Sequence, residues 1–160
     1  MNEEIKIKSI GIIHTPYKEP KGIPIQGRFE KAVIGQVEVF SEYTEGLKGI
    51  EGFSHIILIY YFDKSKEEKL VSKPFLEDEE HGIFAIRSPH KPNHIGFSVV
   101  KLERVEGNIV TFSEVDMLDG TPLLDIKPYV SHFDSRKSVG NGWLDKHFIK
   151  GKMPKGVILE

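Results

Sequence analysis

Phe97-Ser98-Val99-Val100-Lys101-Leu102-Glu103-Arg104-Val105, Glu106-Gly107-Asn108, then Ile109-Val110-Thr111-Phe112-Ser113-Glu114-Val115 is the stretch that decides the fold. Two runs rich in β-branched and aromatic residues flank a short connection containing glycine, the pattern of an antiparallel hairpin. Upstream, Ile56-Ile57-Leu58-Ile59-Tyr60-Tyr61-Phe62 is short, continuous and apolar, and reads as a central strand buried on both faces. Apolar residues alternate at Ile5 and Ile7, at Ile10 and Ile12, and again at Val33, Val37 and Val39, so strands are expected to dominate the first forty residues. Only 43–50 and 64–71 could hold a helical turn or two, too short for the crossover helices of a parallel sheet. The expected fold is mostly β, an antiparallel barrel or sandwich with short helical connections.

A chain of 160 residues, 39% hydrophobic and 29% charged, can bury one core without covalent staples. A single domain over 1–160 is expected, with a core at about 5–135 and a basic C-terminal extension over 136–160. The absence of cysteine excludes a disulfide framework, a thiolate zinc site and a cysteine nucleophile, and fits a reducing compartment. The start, Met1-Asn2-Glu3-Glu4, is not that of a secretory signal, and no run approaches membrane-spanning length, so a soluble, cytoplasmic protein is expected. The net charge of −2 hides an asymmetry: from Ile126 onward seven Lys or Arg face three acids, a net +4, which leaves −6 for the rest. That tail reads either as a solvated surface or as a patch that contacts phosphate.

Three loops carry the density of functional side chains. Arg87-Ser88-Pro89-His90-Lys91-Pro92-Asn93-His94-Ile95-Gly96 lies between a strand expected to end near Ile86 and one beginning at Phe97. Its two prolines stiffen it and hold polar groups in fixed directions, which suits either a binding site or a rigid surface loop. Pro92 removes the helix on which His90 and His94 could share a metal, so no metal is expected there. Asp116-Met117-Leu118-Asp119-Gly120-Thr121-Pro122-Leu123-Leu124-Asp125-Ile126-Lys127-Pro128-Tyr129 places three carboxylates around an Asp-Gly turn where a ligand can approach the backbone. Gly22-Ile23-Pro24-Ile25-Gln26-Gly27-Arg28-Phe29 could wrap a nucleobase edge or be an ordinary loop. Neither GxGxxG nor GxxxxGK[ST] is present, so a nucleotide-like cofactor would need another architecture.

In order and spacing, Ile10-Gly11-Ile12-Ile13-His14-Thr15-Pro16-Tyr17, Gly52-Phe53-Ser54-His55-Ile56, His81-Gly82-Ile83-Phe84-Ala85-Ile86-Arg87-Ser88-Pro89, Asn93 with Ile95-Gly96, and Asp116 through Tyr129 resemble the TsaA-like (TrmO) family. The resemblance implies a β-barrel, a homodimer, S-adenosylmethionine as cofactor, and N6-methylation of threonylcarbamoyl-adenosine beside the tRNA anticodon. It implies cofactor contacts at Pro24, Ile25, Gln26, Asp63, Lys64, Arg87, Phe97, Met117, Leu118, Asp119 and Gly120. Lys91 stands where the family usually has arginine and His94 where it usually has proline, so a two-pronged phosphate contact is not carried over. Longer bacterial members add a C-terminal domain beyond the length of this chain.

Methyl transfer from a sulfonium is an in-line displacement that asks mainly for alignment. The acceptor N6 bears a carbonyl substituent and is a poor nucleophile, so a group that draws off its proton helps; Asp119 is the first candidate, then Tyr129 and His90. Lys91, Asn93 and His94 are the candidate substrate contacts, since Lys and Asn donors in a stiff loop, like Arg87, match phosphate or carboxylate. Two other classes stand beside this one: a methyltransferase acting on a small molecule or another RNA base, and a barrel that binds the cofactor without catalysis.

Overall fold

β6 (Ile95–Glu106) and β7 (Ile109–Ser113) form the expected hairpin, and Gly107 at φ 61 supplies the left-handed backbone its two-residue turn needs. The structure, a computed structural model, describes residues 3–149 and 153–159. The remaining elements are β1 (Gly11–His14), β2 (Ile34–Val39), β3 (His55–Tyr61), β4 (Val71–Ser72), β5 (His81–Gly82), β8 (Thr121–Pro128) and one helical turn, α1 (Ser131–Asp134). Six strands close into an antiparallel barrel in the order β1-β2-β7-β6-β3-β8, with β8 pairing back to β1, while β4 and β5 pair separately. Closure satisfies both edges of every long strand. Pairing slips between Leu102 and Arg104 and between Ile59 and Tyr60, the irregularities by which a sheet bends into a barrel.

Alternate residues of each strand fill the interior: Ile13, Val37, Val39, Ile56, Leu58, Tyr60, Val100, Leu102, Val110, Phe112 and Leu123 form one buried cluster with Leu47, Val115 and Met117. Short 3-10 turns at Ser41–Leu47 and Ile50–Gly52 supply the helical connection expected over 43–50.

Four expectations are corrected. Ile5 and Ile7 form no strand and are exposed, because the chain before Gly11 has no neighbouring strand to pair with; only ten of the first forty residues are β. Residues 64–71 hold no helix; Lys69 instead donates its N–H to the His90 carbonyl of the neighbouring loop. β3 is buried throughout its inner face but only partly on the outer one, where Ile57 is buried, Ile59 half-buried and Tyr61 exposed. Before Arg87 the chain makes a 3-10 turn, Ile83–Ala85, rather than a long strand.

The register fixes which loops meet. Ile13 lies opposite Thr121, Ile34 opposite Ser113 and Tyr61 opposite Ile95, so loops 15–33, 62–94 and 114–120 gather at one end of the barrel. The basic extension returns to that end. Ile158 pairs with Pro24, Ile25 donates to the Val157 carbonyl at 2.7 Å, and Phe148 stacks on Phe29 with ring centres 5.9 Å apart. Two of the cations counted from Ile126 onward are matched by acids, Lys127 of β8 to Asp125 and Lys146 of the extension to Glu77, each at 2.7 Å. Lys150, Lys152 and Glu160 of that tail lie outside the described residues. No helix among the described residues is long and apolar enough to cross a membrane.

Candidate functional site

The rigidity expected of the loop from Arg87 to Gly96 comes from hydrogen bonds as much as from proline. The His90 N–H donates to Ser88 Oγ, the His94 N–H to the Lys91 carbonyl, and His94 Nδ1 to the Pro89 carbonyl at 2.8 Å. His94 adopts φ 49, a conformation unusual for a residue with a side chain. Its carbonyl accepts from Phe62 at the end of β3. His90 Nδ1 lies 2.9 Å from Ser65 Oγ, so the two imidazoles bond different parts of the structure. Lys91 Nζ lies 5.9 Å from the centre of the Phe84 ring, and Asn93 is exposed.

Arg87 leaves that loop toward the early loop, where its Nη1 donates to Gln26 Oε1 at 2.5 Å. Its guanidinium also sits 5.7 Å over the Phe97 ring, a cation–π contact with a ring that remains 43% exposed. Gln26 Nε2 donates to the Ile25 carbonyl, which fixes the amide orientation facing Arg87. Next to it, the Gly27 N–H donates to Asp116 Oδ2 at 3.0 Å. A Cβ at Gly27 would lie 1.7 Å from the Glu114 carbonyl oxygen, so only glycine permits this approach.

Asp116 Oδ1 accepts from Ser98 Oγ at 2.5 Å, and Ser98 Oγ lies 2.9 Å from the buried Tyr60 hydroxyl. Enclosure pushes the Asp116 carboxyl up to about 6, against the opposing pull of the Ser98 and Gly27 hydrogen bonds and the Arg87 charge. Burial also pushes the Tyr60 phenol up.

Asp119 is treated in the opposite way. Lys18 Nζ lies 2.5 Å from Oδ2 and the Thr15 N–H donates to Oδ1 at 3.0 Å; these hydrogen bonds, the Lys18 one first, hold its carboxyl below the usual range. Lys64 Nζ donates to the Asp119 carbonyl at 3.2 Å, which joins the end of β3 to the Asp-Gly turn. Gly120 at φ 79 makes that turn, and its N–H donates to the Ile13 carbonyl. Thr15 Oγ1 and Thr121 Oγ1 donate to the carbonyls of Met117 and Leu118, so the backbone of 117–120 is held on both sides.

The barrel therefore brings Pro24, Ile25, Gln26, Lys64, Arg87, Phe97 and 117–120 to one end, with Asp63 exposed beside Lys64. Tyr129 is not brought there. It follows β8 at the far end, where its N–H donates to the His55 carbonyl, and the length of β8 separates it from Thr121 by about 23 Å. The sequence reading gave no role to Asp116, named Thr15 only as part of the resembling stretch 10–17, and did not single out Lys18. A carboxylate between Val115 and Met117 was the available signal for the first; nothing local marked Lys18.

The arrangement fits a nucleoside bearing an amino-acid group. An exposed aromatic ring can stack a base, an exposed guanidinium matches a carboxylate, and the open Gly120 backbone allows close approach.

Residues 12–135 match the family model described as the tRNA-methyltransferase O N-terminal domain. The chain is 56% identical to a probable S-adenosyl-L-methionine-binding protein of Pyrococcus abyssi, over 89% of this chain and 78% of that one. It is 35% identical to the human tRNA (adenine(37)-N6)-methyltransferase, over 81% of this chain but only 31% of that enzyme. The crystal structure of TrmO from Pseudomonas aeruginosa superposes with a TM-score of 0.76 at 35% identity, covering 89% of this chain and 64% of that one.

Proposed function

We propose, because the chain belongs to the tRNA-methyltransferase O N-terminal domain family, that it binds S-adenosylmethionine at the loop-bearing end of the barrel and methylates N6 of adenosine 37 in tRNA. The observation that carries this reading is the convergence of Gln26, Arg87 and Phe97 with the Asp119-Gly120 turn at that end. Pro24, Ile25, Gln26, Asp63, Lys64, Arg87, Phe97, Met117, Leu118, Asp119 and Gly120 would hold the cofactor, which when bound supplies an electrophilic methyl group on a sulfonium.

The chain's own part is orientation. Arg87 offers two-pronged recognition of a carboxylate, and the Phe97 ring offers a stacking face. Lys91, Asn93 and His94 line the adjoining loop and would meet the acceptor, for which threonylcarbamoyl-adenosine is the proposed form. Asp119 stays ionised beside Lys18 and each of its oxygens has a spare lone pair, so it serves as an acceptor that aligns the N6–H rather than as a strong base. His90 stands behind it; Tyr129, at the far end, has no role in the same chain's site.

A homodimer and a cytoplasmic location complete the reading. The exposed apolar residues Tyr61, Phe84, Ile95 and Phe97 beside the loop from Arg87 to Gly96 support the first, and a tRNA substrate the second. Several archaeal relatives carry the name S-adenosyl-L-methionine-binding protein alone, which favours a non-catalytic binding module as the second reading. Incubation with labelled S-adenosylmethionine and tRNA, with or without the threonylcarbamoyl group, decides. Label in the modified tRNA supports methyl transfer, and label in neither tRNA with cofactor still bound supports the binding module.

A further inference from the structure

Away from the cofactor loops, four side chains from two distant segments meet at one carboxylate. Glu77, whose side chain is only 5% exposed, receives Lys146 Nζ on Oε1 at 2.7 Å. Its other oxygen, Oε2, faces two imidazole nitrogens, His147 Nε2 at 3.0 Å and His81 Nε2 at 3.9 Å. A carboxylate oxygen of Glu79 lies within 4.8 Å of the Glu77 and His81 donor atoms.

His81 Nε2 is shut off from solvent yet has no hydrogen-bond partner among the described residues, because 3.9 Å is too long for one. An orphaned buried nitrogen of this kind is costly unless something occupies the space it faces. Its ring cannot easily turn away, being stacked on Trp143 with ring centres 5.2 Å apart and planes at 17°. Trp143 is itself pinned by its Nε1–H, which donates to the Ala85 carbonyl at 2.8 Å.

We propose that Glu77, Glu79 and His81 form a site for a zinc-like divalent transition-metal ion, with Glu77 held in place by Lys146 and His147 of the C-terminal extension. The 3.9 Å from Glu77 Oε2 to His81 Nε2, with a Glu79 oxygen within 4.8 Å of both donors, lies near the about 3.4 Å donor separation of a tetrahedron with ~2.1 Å arms. One imidazole nitrogen beside two carboxylate oxygens selects zinc-type ions over calcium or magnesium, which take oxygen alone. Lys146 does not oppose the ion at Oε2; it holds Oε1 and so orients the ligating carboxylate from outside, as such sites usually require. Four consecutive acids, Glu77 to Glu80, outnumber the nearby cations Lys146 and Lys73. Glu77 couples the site to Lys146 and His147 of the extension, whose Val157 carbonyl accepts from Ile25 beside Gln26.

The test is titration of the chelator-treated full chain with ZnCl2, read by calorimetry and by the fluorescence of Trp143, the sole tryptophan. One equivalent binding in the micromolar range or tighter, weakened at least about tenfold in His81→Gln and in Glu77→Gln, is expected, with no response to Mg2+. No saturable binding, or binding that both substitutions leave unchanged, overturns the proposal. Should either variant fail to fold, Co2+ absorption of the wild-type chain decides: the strong bands of a tetrahedral site support the site, and the weak bands of the hydrated ion overturn it.

Discussion

Gly27 and Asp116, 89 residues apart, are joined by a single hydrogen bond of 3.0 Å from the Gly27 N–H to Oδ2, and through it the early loop is fastened to the loop between β7 and β8. The carboxylate that makes this contact is the one whose pKa burial raises to about 6, whereas in the unfolded chain it returns to 3.8. The folded state therefore holds the Asp116 proton more tightly, and the cost of ionising it is absent in acid, grows from about pH 4 to 6, and is constant above. Asp116→Asn has no such titration. Wild-type stability relative to this variant should fall by about 2–3 kcal/mol between pH 4 and 7, measured by urea unfolding at each pH. Parallel profiles would show that the carboxylate is not desolvated.

Gly27→Ala tests the same contact sterically. Its Cβ would meet backbone at Glu114 rather than a side chain that can move aside, so the loop must shift. A loss of about 1–3 kcal/mol in unfolding free energy is expected, together with weaker cofactor binding, read by denaturant melts and calorimetry. Unchanged stability would mean that the loop is free to reposition.

Arg87→Ala and Asp119→Ala should separate binding from turnover. Loss of the Arg87 fork should weaken S-adenosylmethionine binding about 10- to 100-fold by calorimetry, the range for a hydrogen bond to a charged group. Asp119→Ala should lower methyl transfer about 100-fold or more while cofactor still binds. If both variants bind and turn over like the wild type, the site lies elsewhere.

The Glu77 carboxyl, held down to about 2 by hydrogen bonds from Lys146 and His147, gives the extension its own pH dependence. A folded pKa below the unfolded 4.5 means stabilisation that is complete above about pH 4.5 and lost as pH falls toward 2. With chelator present, Trp143 fluorescence should report detachment in that window, and Lys146→Ala should move the transition to higher pH. A transition unmoved by that substitution would show that the ion pair does not hold the segment.

Local pattern was enough for the hairpin around Gly107, the inward stripe of Ile56, Leu58 and Tyr60, and the stiffness of the loop from Arg87 to Gly96, because strand periodicity, positive φ and proline geometry act within a few residues. The same pattern misled at Ile5 and Ile7, where alternation without a neighbouring strand leaves the chain exposed. The site's composition was legible in three loops; its partnerships were not.

That Arg87 meets Gln26, that Lys18 neutralises Asp119, and that Asp116 is enclosed depends on the register that closes β8 onto β1 and β3. The sequence by itself determined the β6–β7 hairpin, the inward stripe of β3, the turn chemistry and the family resemblance. Only the tertiary structure decided which carboxylate is ionised and which is shielded, because pKa follows distance and solvent exclusion, and both are properties of chain segments brought together from far apart.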